Sequence, residues 1–146
     1  MNTVAQILGF KPDRAVYTMA PTASAHEAVR LMVDKNIGAL VVVESGQVVG
    51  IVSERDYTRK LVLMARSPQD TPLRDIMSSP VMYVNLHHTS DECMALMTEN
   101  RLRHLPVMDG GQLIGLISIG DLVKATISEQ QFIIEQLEHY ISGQRD

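Results

Sequence analysis

Short continuous apolar runs and stretches of helical periodicity follow one another along the chain. Residues 39–43 and 48–52 are valine-rich runs separated by a turn at 44–47, and they predict an antiparallel β-hairpin. Before this hairpin, apolar residues three and four apart predict a helix, with a capping box that begins at Ser24. After the hairpin, a second helix is predicted from Ser53 to about residue 66. The pattern is therefore a hairpin between two amphipathic helices.

Two shorter elements precede these. Val4, Ile7 and Leu8 have helical spacing, and Gly9 follows them as a stop signal, so a short N-terminal helix is predicted. Residues 16–19 form a short apolar run that ends before Pro21 and predict a strand. The resulting order after the short helix is strand–helix–strand–strand–helix.

The whole pattern occurs twice. Shifting residues 27–60 by 65 positions maps them onto 92–125 without a gap. A weaker echo precedes each copy, at residues 3–8 and 72–77. The chain is thus an internal duplication. The identical pairs are Glu27/Glu92, Leu31/Leu96, Met32/Met97, Leu40/Leu105, Val42/Val107, Gly46/Gly111, Gln47/Gln112, Gly50/Gly115, Ser53/Ser118 and Asp56/Asp121.

The second copy predicts a strand at 82–84, a helix capped at Thr89, strands at 104–108 and 113–117, and a final helix from Ile119 to Ile141. That helix continues beyond the end of its counterpart. Apolar residues recur there at heptad-like spacing, and such a surface is normally covered by the body or by another chain. We therefore expect a homodimer. The recurring residues are Ile127, Ile134, Leu137 and Ile141.

These patterns predict an α+β fold of two pseudo-symmetric β-α-β-β-α repeats. Residues 1–66 form the first repeat with its short N-terminal helix, 67–126 the second, and 127–146 a C-terminal helical extension. Halves of about 60 residues are marginal alone, so we expect them to pack sheet to sheet.

Composition narrows the function. The chain has 45% hydrophobic and 21% charged residues, and its formal net charge of −4 offers no basic surface for nucleic acid or an anionic membrane. The longest apolar run, at 37–43, is too short to span a bilayer. The single cysteine, Cys93, excludes an internal disulfide and fits the reducing cytoplasm.

One heptad carries the candidate chemistry. Residues 50–56 read Gly-Ile-Val-Ser-Glu-Arg-Asp and return at 115–121 as Gly-Leu-Ile-Ser-Ile-Gly-Asp. Each copy leads from a strand straight into a helix, so the serine can cap the helix and the aspartate lies in its first turn. The free N–H groups at such a start also attract anions. From the residues alone, a cap and a ligand site are both open.

The tandem copy, the order of elements and the Gly-hydrophobic-hydrophobic-Ser-x-x-Asp signature resemble a pair of CBS (cystathionine β-synthase) domains of the stand-alone, single-pair type. The resemblance covers about residues 3–126, and the runs Ile-Gly-Ala-Leu-Val-Val-Val and Leu-Arg-His-Leu-Pro-Val are also similar to the family. It implies binding of AMP, ADP, ATP, S-adenosylmethionine or sometimes a dinucleotide such as NAD(H) in clefts between the repeats. It also implies no catalysis, no required cofactor, and dimers.

By this resemblance Asp56 and Asp121 bind ribose, and Ser53 and Ser118 touch phosphate. Arg55 adds a cation, whereas Gly120 allows a close backbone approach. Residues at the start of each central strand contact the adenine or the phosphates. Two further residues, on the first strand of each repeat, are weaker candidates for contact with the adenine ring. The edge residues are Ala39, Arg103 and His104, and the wall candidates are Met19 and Val84.

Several alternatives stay open for these residues. Arg55 and Arg103 belong to one cleft or to two. If they do not bind a ligand, Arg103 is a solvated surface residue and His104 is held by backbone hydrogen bonds. The two wall candidates are then ordinary core residues. A zinc site at His87, His88 and Cys93 is disfavoured because Cys93 aligns with Ala28 on the inner face of a helix, so we predict no metal.

The sequence thus predicts a cytoplasmic, non-enzymatic energy sensor that signals its adenine-nucleotide state to a protein effector. One rival is a nucleotide hydrolase, which would need a base and usually a metal, and the sequence shows neither set. Another is a structural dimerisation module whose clefts stay empty.

Overall fold

A computed structural model describes residues 1–143 and has the α+β fold predicted from the sequence. Two 3-10 turns, Pro68–Asp70 and Leu73–Asp75, connect the two repeats. The last three residues of the predicted C-terminal extension, 144–146, lie outside the described part of the chain. The main elements are α1 (Val4–Phe10), β1 (Thr18–Met19), α2 (Ala25–Lys35), β2 (Ala39–Glu44), β3 (Gln47–Ser53), α3 (Glu54–Asp56), α4 (Ser90–Asn100), β4 (His104–Asp109), β5 (Gln112–Ser118) and α5 (Ile119–Ile141).

Each repeat is built on a tight antiparallel hairpin. In the first, β2 pairs with β3 and β1 adds in parallel to β2, and in the second β4 pairs with β5. The two-residue loops, 45–46 and 110–111, have positive φ at both positions, as the favoured hairpin turns require. Both predicted hairpins are confirmed. Each one ends with its serine directly at the start of a helix.

The predicted strand at 82–84 does not form, and only a single parallel bridge joins Val84 to Val107. The Val84 N–H donates to the Pro106 carbonyl, and the Met108 N–H donates to the Val84 carbonyl. Extending this pairing towards residue 82 needs an N–H at position 106, which proline lacks. The matching residue of the first repeat, Val41, does donate to Tyr17. Even there β1 has only two of the four predicted residues.

The two compact units do not follow the order of the repeats. One contains residues 15–82, and the other contains residues 1–14 together with 83 onwards. Helix α1 was expected to belong with the first repeat, but Val4 and Ile7 lie in a core cluster with Val84 and Cys93 of the second. The echo segment at 72–77 behaves in the same way, because Leu73 and Ile76 lie in the core of the first repeat. Each leading segment therefore packs on the other repeat.

Two glycines accept these exchanged segments. A Cβ on Gly115 would lie 2.8 Å from Leu8 Cδ2, and a Cβ on Gly50 would lie 2.8 Å from Met77 Cγ. Real contacts of that length do not occur, so any larger residue at either position would force the side chain of Leu8 or Met77 to shift. The glycine that opens each heptad is explained by this packing. The packing of the two units against each other, predicted to be sheet to sheet, stays a prediction.

The helices after the two heptads differ. The predicted helix over 53–66 is α-helical only at α3, continues as a π-helix over Tyr57–Val62, and has stopped before Ala65, whose φ is +52°. Helix α5 runs over the predicted span, Ile119–Ile141, and its first turns bury Leu122 and Ala125. Beyond them its large apolar side chains are exposed. Within residues 1–143, no helix combines the length and the apolar character needed to cross a membrane.

Candidate ligand-binding site

Ser118 and Asp121 form a reciprocal pair, in which each side chain accepts a hydrogen bond from the backbone N–H of the other residue. The Ser118 N–H donates to Asp121 Oδ2 at 2.8 Å, and the Asp121 N–H donates to Ser118 Oγ at 3.1 Å. This reciprocal arrangement is a capping box at the start of the 23-residue helix α5. The carboxylate therefore lies in the first helical turn, where the free N–H groups and the helix dipole favour negative charge.

A lysine from outside the heptad completes this site. Lys11, which follows α1, donates from Nζ to Asp121 Oδ2 at 2.9 Å and to the Leu116 carbonyl at 2.7 Å. Both side chains are largely buried, with 24% of Lys11 and 18% of Asp121 exposed. Burial raises the pKa of Asp121, but the Ser118 N–H and the Lys11 ammonium outweigh it and lower that pKa below its ordinary value. The carboxylate is ionised at neutral pH.

His104 lies opposite Ser118 across the β4–β5 hairpin. Burial lowers the pKa of His104 to about 4, with Asp121 acting to raise it and Lys11 and Arg103 to lower it. The imidazole is therefore neutral at pH 7, so it offers one donor and one acceptor nitrogen rather than a positive charge. Among the predicted site residues, Ser118, Asp121 and His104 come together here.

The Asp56 site repeats the capping pair with looser surroundings. Asp56 Oδ2 accepts from the Ser53 N–H at 3.0 Å and from Ser53 Oγ at 3.1 Å. Its other oxygen, Oδ1, accepts from Ser78 Oγ at 3.4 Å and lies 3.5 Å from Lys60 Nζ. Lys60 donates instead to the Ile76 carbonyl at 2.8 Å. Here too a lysine approaches the predicted ribose carboxylate, although it comes from a different position in the repeat.

The other predicted site residues divide by exposure. Arg55, Arg103 and Gly120 are exposed, while Ala39 and Val84 are buried. Met19 is half-buried and packs against the core of its unit. Arg55 lies in the unit of residues 15–82 and Arg103 in the other. The roles assigned to these side chains by resemblance stay predictions.

The sequence did not point to Lys11, Lys60 or Ser78. Lys60 follows Asp56 by four residues, a spacing that brings side chains together on a helix, so a search for i,i+4 ion pairs would have found it. Lys11 is 110 positions from Asp121, and no periodicity predicts that contact.

A hollow of about 470 Å³ lies beside Asp121, between α1 and α5. It is lined by Lys11, Asp121 and Lys124 and by apolar side chains that include Phe10 and Ile127. A second hollow of about 420 Å³ in the other unit includes Glu54 in its lining but neither Ser53 nor Asp56. Among the residues described, no three His, Cys, Asp or Glu side chains come together in a way that would hold a metal ion.

The CBS domain family matches two segments of the chain, residues 4–63 and 73–128. Together these segments make up most of the sequence and coincide with the two repeats. The chain belongs to the CBS domain family. Within that family it is a tandem CBS pair, because both repeats match and the solved relatives of similar length are CBS-domain proteins.

Relatives of this CBS pair come from plants, bacteria and archaea. The Arabidopsis thaliana protein "CBS domain-containing protein CBSX3, mitochondrial" is 38% identical over 125 residues, and the match covers 82% of this chain and 61% of the relative. The chain therefore matches about three-fifths of that relative's length. A CBS-domain protein from Burkholderia ambifaria is 56% identical with a TM-score of 0.85, over 88% of this chain and 96% of that one.

One solved structure that shares the fold contains adenosyl compounds. It is the CBS domain pair of protein MJ0100 in complex with 5′-methylthioadenosine and S-adenosyl-L-methionine, which has a TM-score of 0.78 and 21% identity. The match covers 88% of this chain and 98% of that one.

Proposed function

We propose that this CBS pair is a non-enzymatic sensor that binds AMP, ADP or ATP and passes its ligand state to a protein effector. CBS pairs are regulatory modules for adenosine-containing ligands, as the complex of the MJ0100 pair illustrates for that protein. The observation that carries the proposal is the recurrence of one polar arrangement. In each repeat a serine, an aspartate and a lysine meet at the start of a helix.

This arrangement suits the two polar ends of a nucleotide. A carboxylate accepts hydrogen bonds from both ribose hydroxyls, and lysine with free helix N–H groups attracts phosphate. In our proposal Asp56 and Asp121 take the ribose, while Ser53 and Ser118 contact phosphate. S-adenosylmethionine and NAD(H) contain the same ribose and are the alternative ligands at these positions.

A ligand-free structural module is the second candidate, and a specific observation favours it. Both aspartates already act as capping groups, so each serine–aspartate pair is accounted for without any ligand. Substitution separates the two functions. Titration calorimetry with AMP should compare the wild type with Asp56→Ala, Asp121→Ala and the double variant.

The sensor predicts that each single variant weakens its own site by about 10- to 150-fold, because a charge-assisted hydrogen bond contributes roughly 1.5–3 kcal/mol. The double variant should not bind. The matched control is Glu92→Ala, which removes an equivalent capping box at Thr89 away from both sites and should bind like the wild type. Wild-type affinity in the double variant would overturn the site assignment.

We also propose that the sensor is a homodimer in the cytoplasm. Helix α5 exposes about half or more of each of Ile127, Ile134, Leu137 and Ile141, which lie on one stripe of the helix. An exposed apolar stripe of this length on one helix is a surface that a second chain normally covers. The single buried Cys93 supports a reducing compartment.

A further inference from the structure

A positively charged side chain already occupies the carboxylate proposed to bind ribose. Lys11 Nζ lies 2.9 Å from Asp121 Oδ2, the same oxygen that accepts the Ser118 N–H at 2.8 Å. The lysine comes from the end of α1, whose position is set by the packing of Leu8 against Gly115. Lys11 and Asp121 are both largely shielded from water, so their attraction is only weakly screened.

This ion pair conflicts with ribose binding. A carboxylate oxygen has two lone pairs, and Oδ2 already accepts two donors. A ribose diol that bridges both oxygens of Asp121 must therefore displace Lys11 or share Oδ2 with it. Because a buried ammonium is costly without an anionic partner, displacement is favourable only when the ligand supplies a replacement anion.

We infer that Lys11 makes the Asp121 site selective for phosphorylated nucleotides over nucleosides. A nucleotide exchanges partners: its ribose takes the carboxylate, and its phosphate takes the ammonium. Adenosine offers the same ribose but leaves Lys11 with only the Leu116 carbonyl. This inference rests on the proposed function, because it assigns a ligand class to the same site.

The Asp56 site has a weaker lysine–aspartate ion pair. Lys60 Nζ is 3.5 Å from Asp56 Oδ1, its side chain is 38% exposed, and the Ile76 carbonyl is its nearer partner. A ribose at Asp56 therefore breaks little attraction, and water can solvate the released ammonium. Discrimination between nucleotide and nucleoside should be strong at Asp121 and weak at Asp56.

The hollow beside Asp121 provides a matched control. Lys124 lines the same hollow as Lys11, is exposed, and follows Asp121 by one helical turn. It carries the same charge without the contact to the carboxylate that the structure gives Lys11. Replacing Lys124 tests the general effect of a nearby positive charge, whereas replacing Lys11 tests the ion pair.

The experiment measures the affinities of AMP and adenosine in an Asp56→Ala background, which isolates the Asp121 site. The variants are Lys11→Met, Lys11→Arg and Lys124→Met, each checked by its unfolding transition. We expect Lys11→Met to reduce the preference for AMP over adenosine at least tenfold, by weakening AMP and strengthening adenosine. Lys11→Arg should keep most of the preference, and Lys124→Met should keep nearly all of it.

Three results would overturn the inference, and they are distinguishable from one another. An unchanged preference in Lys11→Met, with AMP still bound, removes the role of Lys11 and leaves the proposed function intact. An Asp56→Ala protein that binds neither probe, while the wild type binds AMP, shows that Asp121 is not a ligand site. A wild type that binds no adenine nucleotide removes the proposed function as well.

Discussion

His104 is a half-buried base among three charged groups, Asp121, Lys11 and Arg103, and it should make the stability of the protein depend on pH. The folded-state pKa of His104 is about 4, against an ordinary value of 6.5. Above pH 6.5 the imidazole is neutral in both states and contributes no pH dependence. Between pH 6.5 and 4 only the unfolded chain takes up the proton, so the free energy of unfolding falls as the pH falls.

At pH 5 this effect should lower the free energy of unfolding by about 2 kcal/mol relative to pH 7.5. His104→Gln removes the titrating group, so it should lose about 2 kcal/mol less over the same interval in urea unfolding. His139→Gln, on the exposed face of α5, is the control and should follow the wild type. Equal losses in His104→Gln and the wild type would show that His104 is not buried as a neutral base.

Single residues of the candidate site were only partly predictable. Ser53 and Asp56, like their counterparts Ser118 and Asp121, follow a spacing that capping geometry imposes, and a spacing can be found in a sequence. Lys11 reaches Asp121 only because α1 packs on the second repeat. Such a contact depends on tertiary packing and leaves no local pattern.

At the scale of elements, the exchange of the leading segments depends on Gly50 and Gly115. An alanine at either position needs Met77 or Leu8 to move, so each substitution should destabilise the protein by about 1–3 kcal/mol. Neither glycine has a positive φ, so the cost comes from packing and not from backbone strain.

Gly120→Ala is the control for this prediction. Its nearest neighbour would be Ser118 Oγ at 3.6 Å, which is an ordinary contact, and alanine favours the helix by up to about 1 kcal/mol. Chemical unfolding should therefore rank Gly120→Ala at or above the wild type, and the other two variants below it. Gly50→Ala and Gly115→Ala proteins as stable as the wild type would contradict the close packing of these segments.

The elements were predictable where local chemistry determines them. Apolar runs on either side of a glycine-containing turn predicted both hairpins, and helical periodicity predicted α5 with both of its observed ends. The prediction of a strand at 82–84 was wrong because of a residue more than 20 positions further along the chain. Pro106 removes the donor that the pairing needs, and only the partner strand reveals it.

At the scale of the whole molecule, the exposed stripe on α5 predicts self-association. Ile134 is 53% exposed in the middle of this stripe, so Ile134→Glu should disrupt the interface without disturbing the core. In light scattering with size exclusion, the wild type should have twice the chain mass of 16.2 kDa, and Ile134→Glu should have the mass of one chain.

Gln136→Glu is the matched control for this prediction. It adds the same charge to α5 on a different face of the helix and should remain dimeric. A monomeric wild type, or an Ile134→Glu protein that stays dimeric, would show that α5 does not join two copies.

The duplication and the family were readable from the sequence because both are carried by residues at fixed spacing. The division into compact units could not be predicted from the sequence. It depends on which hydrophobic core contains α1 and which contains residues 72–77. Sequence order alone suggests that each segment packs on the repeat that follows it. In the structure α1 instead packs against Gly115 of the second repeat, and residues 72–77 pack against Gly50 of the first.

Binding of an adenine nucleotide is the central claim, and thermal unfolding of protein freed of co-purified nucleotide tests it most directly. The panel contains AMP, ADP, ATP, NAD, NADH and S-adenosylmethionine, with GMP and adenosine for comparison. A ligand at a hundred times its dissociation constant adds about 2.7 kcal/mol per site and should raise the midpoint by several degrees. We predict such a rise with AMP, ADP or ATP and none with GMP. No rise with any adenine-containing ligand would contradict the sensor.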